Sequence, residues 1–171
     1  PPKVTPDGLT YIFELRRGLL WHDGEPLDAG DVVFTVHAVQ HPDFQGDPVL
    51  ADLLRDVEVE APDNYTVTMT LPEPFAPFQA RVAGLGILPE HLLGNLDAAG
   101  LFETPFNQRP VGSGPLRLTE LTPTGAVLAP FRAYHLGRPF LDRLERRFYR
   151  DDAELLNALL NDEVDGALFR P

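Results

Sequence analysis

Residues 19–36 read LLWHDGEPLDAGDVVFTV and include the only tryptophan of the chain, Trp21. The many ionisable groups in this stretch are compatible with a catalytic or metal site, but also with a turn followed by a helix cap. Asp23-Gly24 is a strong turn signal. Asp28 stands three residues before Asp31, just ahead of an apolar stripe, and this spacing fits the cap of a helix N-terminus. We therefore interpret the acids as turn and cap residues and Trp21 as a packing anchor.

The segments on either side have the periodicity of a strand and of a helix. Residues 11–16 alternate apolar and polar side chains, as a strand with one buried face does. An apolar stripe at helical spacing follows, formed by Val32, Val33, Val36 and Val39. Because valine is a mediocre helix former, tertiary packing has to hold this helix. His41 precedes Pro42, which disfavours the α conformation, so we expect the helix to end there.

Prolines and glycines divide the rest of the chain into short elements, with a predicted subdomain boundary within residues 105–114. Before this boundary we predict short helices within residues 47–56, 75–85 and 89–93, and a hairpin that turns at residues 62–64. After it we predict strands at 116–121, 125–131 and 143–150, and a helix at 151–161.

The spacing of residues predicts which side chains share a face in the last strand and in the last helix. Alternation places Arg143 and Arg147 on one face of the 143–150 strand and Arg146 and Arg150 on the other. In the final helix, Asp151 and Glu154 fit a capping box. Its leucines lie on one side, at Leu155, Leu156, Leu159 and Leu160.

Composition excludes several classes of function. The net charge of −12 opposes binding to a polyanion such as nucleic acid. The absence of cysteine excludes disulfides, cysteine-based zinc sites and thiol nucleophiles. No run of 18 apolar residues occurs, so no membrane span is predicted. The first residues resemble neither a signal peptide nor a natural start, and we interpret the chain as a piece of a longer protein.

Candidate catalytic and metal residues all have a simpler explanation. His37 and His41 are four apart, a spacing that could place both on one helical face, but His41 precedes a proline and we expect it off the helix. Two histidines also supply too few zinc ligands. Ser113 is the only serine, yet Val111 and Pro115 stand where a nucleophile elbow needs glycine. No dinucleotide or P-loop motif is present. We predict no catalytic residue, no metal site and no cofactor.

The order of segments resembles the family 5 extracellular solute-binding proteins, the peptide- and nickel-type receptors of ABC importers. Residues 11–36 are similar to the signature region of this family and residues 57–74, VEVEAPDNYTVTMTLPEP, to its hairpin. ILPEHLL, PVGSGPLRLTEL and residues 131–167 match later family segments in the family order. Asp28 stands where the family usually has Thr or Ser, Ser113 replaces Thr, and Leu116 replaces an aromatic residue.

This resemblance implies a mixed α/β chain that forms part of a two-lobed periplasmic-binding-protein fold of type II. Residues 1–105 would be the small extra subdomain of lobe one, and residues 106–171 the central part of lobe one, ending before the crossover to lobe two. The second lobe, absent here, would supply many ligand contacts. This chain alone is therefore expected to bind ligand weakly or not at all.

The resemblance also implies two places that line the ligand cleft. One is Val49-Leu50, and the other is Gly84-Leu85-Gly86. Nickel-chelate receptors carry tryptophan at the first place and arginine at the second, whereas both are leucine here. This apolar wall favours a peptide or another organic solute over a small anionic chelate.

The expected function is capture of such a solute for ABC permease subunits, outside the cytoplasmic membrane and without catalysis. The expected partners include no nucleic acid, and membrane association would occur only through a lipid anchor outside this chain. The alternative is the ligand-sensing domain of a cytoplasmic transcriptional regulator. A lipoprotein signal upstream of the chain would support the importer, and a helix-turn-helix would support the regulator.

Overall fold

The computed structural model describes residues 1–169, which form two antiparallel sheets with short helices. The first sheet has four strands in the order β1-β2-β4-β3, at Lys3–Val4 (β1), Thr10–Glu14 (β2), Glu58–Asp63 (β3) and Thr66–Thr70 (β4). The second sheet has the order β5-β6-β7, at Leu116–Thr122, Gly125–Pro130 and Leu144–Arg147. The helices are α1 Ala29–Gln40, α2 Pro48–Leu54, α3 Phe78–Val82, α4 Glu90–Leu93, α5 Ala98–Glu103 and α6 Asp152–Leu160, with a 3₁₀ turn at Pro105–Gln108.

The core lies between α1 and one face of the first sheet. The inward side chains of β2 and β4, including Tyr11, Val67 and Met69, meet Val36 and Val39 of α1. Such burial of aliphatic side chains stabilises a fold by about 1.5–3 kcal/mol each. Three valines of the predicted stripe, Val32, Val36 and Val39, are buried on α1, which explains how a helix rich in valine holds together. Val33, the fourth, is only half-buried.

Helix α1 begins and ends where the sequence predicts. The Asp28 carboxylate accepts the Gly30 N–H at 2.8 Å, and the Asp31 carboxylate accepts the Asp28 N–H at 3.1 Å, which completes a capping box. At the other end His41, which precedes proline, is extended with ψ 136°.

The hairpin turn lies later than the sequence predicts. Residues 62–64 were expected to turn, but β3 continues through Asp63 and the turn is formed by Asn64 and Tyr65. A register shift between Glu60 and Asp63 admits the extra residue. The Asp63 carboxylate then accepts the Tyr65 N–H at 2.7 Å, which fixes the turn at the new position.

The second sheet confirms the predicted strand pair but corrects the arginine strand. Strand β7 ends at Arg147, so Arg150 is not on a strand face. Its guanidinium instead bonds Glu154 at 2.5 Å. The Asp151 carboxylate caps α6 through the Glu154 N–H, whereas the Glu154 carboxylate accepts the Arg150 N–H rather than that of Asp151. The predicted capping box is therefore only half formed.

The sequence does not predict β1, α5 or the 3₁₀ turn at Pro105–Gln108. None of these has an apolar period, and α5 is marked only by its cap, where Asp97 accepts the Gly100 N–H at 2.7 Å. The two sheets lie on either side of residues 105–114 in sequence, where the subdomain boundary is predicted.

Candidate functional site

The Asp31 carboxylate accepts hydrogen bonds from three separate segments in the first half of the chain. Its side chain is buried, and one carboxylate oxygen accepts both the Trp21 indole N–H and the Asp28 N–H, each at 3.1 Å. The other oxygen accepts the Glu90 N–H at 2.9 Å. A buried carboxylate needs such donors because burial without them is costly. Asp31 therefore joins the tryptophan turn, the start of α1 and the start of α4.

Thr35, one turn further along α1, extends this connection. Its hydroxyl donates to the Asp31 carbonyl at 2.7 Å and accepts the Leu88 N–H at 2.8 Å. Residues 88–90 are thus hydrogen-bonded to α1 at two points. This segment immediately follows Gly84-Leu85-Gly86, so α1 fixes the chain next to a predicted ligand-lining place.

The predicted ligand-lining residues differ in what they present to solvent. Val49 is 63% exposed, and Gly84 and Gly86 are also exposed. Leu50 and Leu85 are half-buried, and both pack against the same hydrophobic core. The two predicted lining places therefore rest on the same hydrophobic core through Leu50 and Leu85. Their solvent-accessible surface comes mostly from Val49 and the two glycines.

Two open cavities lie elsewhere, beside the second sheet. One, of about 430 Å³, is lined by the β5–β6 hairpin, β7 and Glu163. The other, of about 1240 Å³, lies between β7 and α6. Its lining includes both arginine and acidic side chains, so it carries charges of both signs. Neither is lined by Val49, Leu50 or residues 84–86. These two cavities are therefore separate from the predicted lining residues.

The histidines and the serine considered for metal binding or catalysis lie in different surroundings. His37 is exposed, and the Nδ1 atom of His41 accepts the Asp43 N–H at 3.2 Å. Within residues 1–169 no three His, Cys, Asp or Glu side chains are grouped as a metal site would need. Ser113 is half-buried in a loop that leads into β5, not in a strand-to-helix elbow.

The sequence does not reveal the contact that His22 makes with a distant loop. Its backbone N–H donates to the Gly112 carbonyl at 2.8 Å, and its ring bonds the loop that holds Ser113. The two sequence segments, WHDG and VGSGP, are each recognisable, but 90 positions separate His22 from Gly112 and no local period connects them. The contact is visible only in the folded chain.

The neighbouring Asp23 is paired with His91. Their side chains are 2.8 Å apart, joining the turn after Trp21 to α4. Burial alone would raise the pKa of Asp23, but the hydrogen bond with His91 and the bond from the Glu25 N–H outweigh it and lower this pKa below its ordinary value. Asp23 therefore keeps its negative charge at mildly acidic pH.

Within residues 1–169, no helix combines the length and apolar content that crossing a membrane requires.

Comparison with known proteins identifies relatives along the whole chain. The family model for bacterial extracellular solute-binding proteins, family 5 Middle, matches residues 2–171. The oligopeptide-binding protein AppA of Bacillus subtilis is 33% identical over 148 residues, which are 84% of this chain and 27% of AppA. Its structure in complex with a nonapeptide superposes with a TM-score of 0.89 at 29% identity, covering 96% of this chain and 33% of that chain.

Two further structures are similar. NikZ of Campylobacter jejuni, in complex with Ni(L-His), gives a TM-score of 0.88 at 29% identity and covers 99% of this chain and 34% of that chain. The ABC transporter substrate-binding protein CtaP of Listeria monocytogenes gives 0.86 at 33% identity and covers 96% of this chain and 34% of that chain. The chain thus spans about a third of the length of these proteins.

Proposed function

Because the chain belongs to the family 5 bacterial extracellular solute-binding proteins, we propose that it is part of the substrate-binding component of an ABC importer. The observation that carries this proposal is the match of residues 2–171 to the family, together with the close superposition on AppA and CtaP. The regulator alternative has no comparable support among these proteins. The proposed receptor performs no chemistry: it captures a solute outside the cytoplasmic membrane and delivers it to permease subunits.

Capture would take place between this part of the protein and a second lobe. The supporting observations are that Val49, Gly84 and Gly86 are exposed, and that this chain covers about a third of each similar structure. A surface of this kind becomes a binding cleft when another domain closes over it by a hinge motion. Membrane attachment, in this proposal, comes from a lipid anchor outside residues 1–171.

The solute is, in our proposal, a peptide or another organic molecule. Superposition does not choose between ligand classes, because the peptide-bound AppA and the nickel-chelate-bound NikZ fit almost equally well. The choice rests on the residues: Leu50 and Leu85 stand where the resemblance places tryptophan and arginine in nickel-chelate receptors. An apolar wall without arginine lacks the positive charge that an anionic chelate needs.

Calorimetry of the full-length protein tests both parts of this proposal. We expect heat of binding with a peptide library or other organic solutes, and none with nickel-histidine chelates. Binding of a nickel chelate alone would contradict the ligand class, and binding of neither would contradict the receptor function.

Val49→Asp tests the predicted site. Val49 is mostly exposed, so the change leaves the fold intact but places a charge on the apolar wall. We expect at least a tenfold loss of peptide affinity, since a tenfold change corresponds to about 1.4 kcal/mol. Val4→Asp is the matched control, because Val4 on β1 is 46% exposed and outside the predicted site. Equal affinities of the two variants would remove Val49 from the site.

A further inference from the structure

His22 connects the two parts of the chain. Among the residues that the structure describes, every hydrogen bond that joins residues 1–104 to residues 110–169 involves this histidine. Its backbone N–H donates to the Gly112 carbonyl, its Nδ1 atom accepts the Gly112 N–H at 3.2 Å, and its Nε2 atom lies 2.9 Å from the Gly114 carbonyl oxygen. No ion pair of these residues crosses between the two parts.

The two partners fix the protonation state of the ring. A backbone N–H is only a donor, so Nδ1 has to be an acceptor and carries no proton. A carbonyl oxygen is only an acceptor, so Nε2 has to carry the proton. The geometry thus requires the neutral Nε2–H tautomer of His22. The charged ring has protons on both nitrogens and cannot accept the Gly112 N–H.

The loop at residues 112–114 is packed closely against the His22 ring. A Cβ on Gly112 would lie 3.3 Å from Cε1 of His22, and the ring meets the edge of Phe131 at 5.0 Å between centroids. Phe131 belongs to the same part of the chain as the loop, since its N–H donates to the Pro115 carbonyl at 2.8 Å. Gly112, Gly114 and Phe131 therefore hold the ring from one side as a unit.

We propose that His22 is a pH-sensitive latch between the two parts of the chain, closed when its ring is neutral and loosened when the ring is protonated. Protonation places a second N–H donor opposite the Gly112 N–H, and the two cannot share a bond. The bond from the Gly112 N–H is then lost, while the bonds to the Gly112 and Gly114 carbonyls remain, so the contact of residues 110–115 with the turn after Trp21 is weakened. This is a property of the junction and goes beyond the proposed solute capture, since it does not depend on which solute binds.

Charged and titratable groups near His22 come from several segments of the chain. Asp23 and Glu25 are in its own turn, His91 and Glu90 come from α4, and Arg109 and Arg132 flank the docked loop and Phe131 in sequence. The Asp23–His91 pair persists in acid, because the lowered pKa of Asp23 keeps it charged and an imidazolium still donates to it. Acid therefore loosens the attachment of the second part of the chain while the turn stays attached to α4.

Nuclear magnetic resonance of the full-length protein measures this latch directly. At neutral pH we expect the nitrogen-15 shifts of His22 to report an unprotonated Nδ1 and a protonated Nε2. We also expect protection of the Gly112 amide from hydrogen exchange, corrected for its intrinsic rate. Acid should lower this protection progressively, because the ring can bind its second proton only when the bond from the Gly112 N–H is open.

Variants separate the latch from general acid effects. His22→Asn keeps an acceptor for the Gly112 N–H but does not titrate, so protection of Gly112 should no longer depend on pH. His37→Gln, at an exposed histidine on α1, should behave like the unchanged protein. A protonated Nδ1 at neutral pH, or Gly112 protection in the unchanged protein that is constant with pH, would overturn the proposal. These two measurements need no variant, so they hold even if His22→Asn does not fold.

Discussion

A single carboxylate can have a role that its sequence context only partly reveals. The sequence predicts Asp31 correctly as a residue of the helix cap, because its spacing from Asp28 and the following valines is local. It does not reveal the Trp21 indole or the Glu90 N–H as donors, because Glu90 is 59 positions away. Trp21 is confirmed as a packing anchor, being 1% exposed, but its bond to Asp31 is a finding of the folded structure.

Asp31→Asn should destabilise the protein by about 1–3 kcal/mol. The amide has one oxygen where the carboxylate has two, so its NH₂ group faces at least one of the three N–H donors that Asp31 accepts. Denaturant unfolding at an unchanged slope measures the loss.

Asp28→Asn is the matched control for this change, on the same turn of the same helix. Asparagine caps a helix as well as aspartate does, so the effect should be a few tenths of a kcal/mol at most. If both variants unfold at the same denaturant concentration, the three-donor role of Asp31 is wrong.

Elements with a strong period or a strong terminator are predicted well from this sequence, and elements held by distant contacts are not. The valines of α1, the alternation in β2 and β4 and the proline after His41 each have a local physical cause. In β7 the arginines alternate beyond Arg147, but the strand ends where its pairing with β6 ends. The leucines of α6 share a side as predicted, yet Leu156 and Leu160 remain 45% and 72% exposed, since little of the described chain packs on them.

Gly125→Ala should weaken the pairing of β6 with β7. Gly125 lies opposite Arg147 at the start of β6, and a Cβ there would stand 2.6 Å from the Arg146 carbonyl oxygen. A backbone atom cannot move aside as a flexible side chain can, so we expect a loss of about 1–3 kcal/mol in the free energy of unfolding.

Gly166→Ala serves as the control, because a Cβ at Gly166 would meet nothing within 4 Å. Hydrogen exchange of the β6 and β7 amides should increase in the first variant and stay unchanged in the second. Unchanged exchange in both would show that the hairpin tolerates the Cβ by shifting its register.

At the scale of the whole molecule, the sequence predicts the family, and with it the fold, from the joint order of several segments, and the family match confirms this. The ligand-lining residues, in contrast, stay a prediction. They follow from resemblance alone, and in our proposal their surface becomes a cleft only with the rest of the protein. The contact at His22 also cannot be predicted from the sequence. Its partners are backbone groups of two glycines, and no side-chain pattern in the sequence marks them.

The net charge of the chain is confined to one of its parts. Residues 1–105 hold 17 Asp or Glu and 5 Lys or Arg, whereas residues 106–171 hold nine of each, so the entire −12 belongs to the first part. Glu58 and Glu60 add exposed acids to the edge strand β3, where charge discourages pairing with another chain. Self-repulsion of like charges opposes the compact state of this part, and salt screens it.

Salt should therefore stabilise the first sheet more than the second. Raising ionic strength from about 0.01 to 0.15 M shortens the Debye length from about 30 to 8 Å. We expect protection of the β4 amides from hydrogen exchange to rise roughly fivefold, which is about 1 kcal/mol, and protection of the β6 amides to change little. Replacing Glu58 and Glu60 by glutamine should reduce the gain in β4, whereas Glu120→Gln on β5 should leave it unaltered. Equal gains in both sheets would mean that salt acts through general solvation and that the concentration of charge in residues 1–105 has no energetic effect.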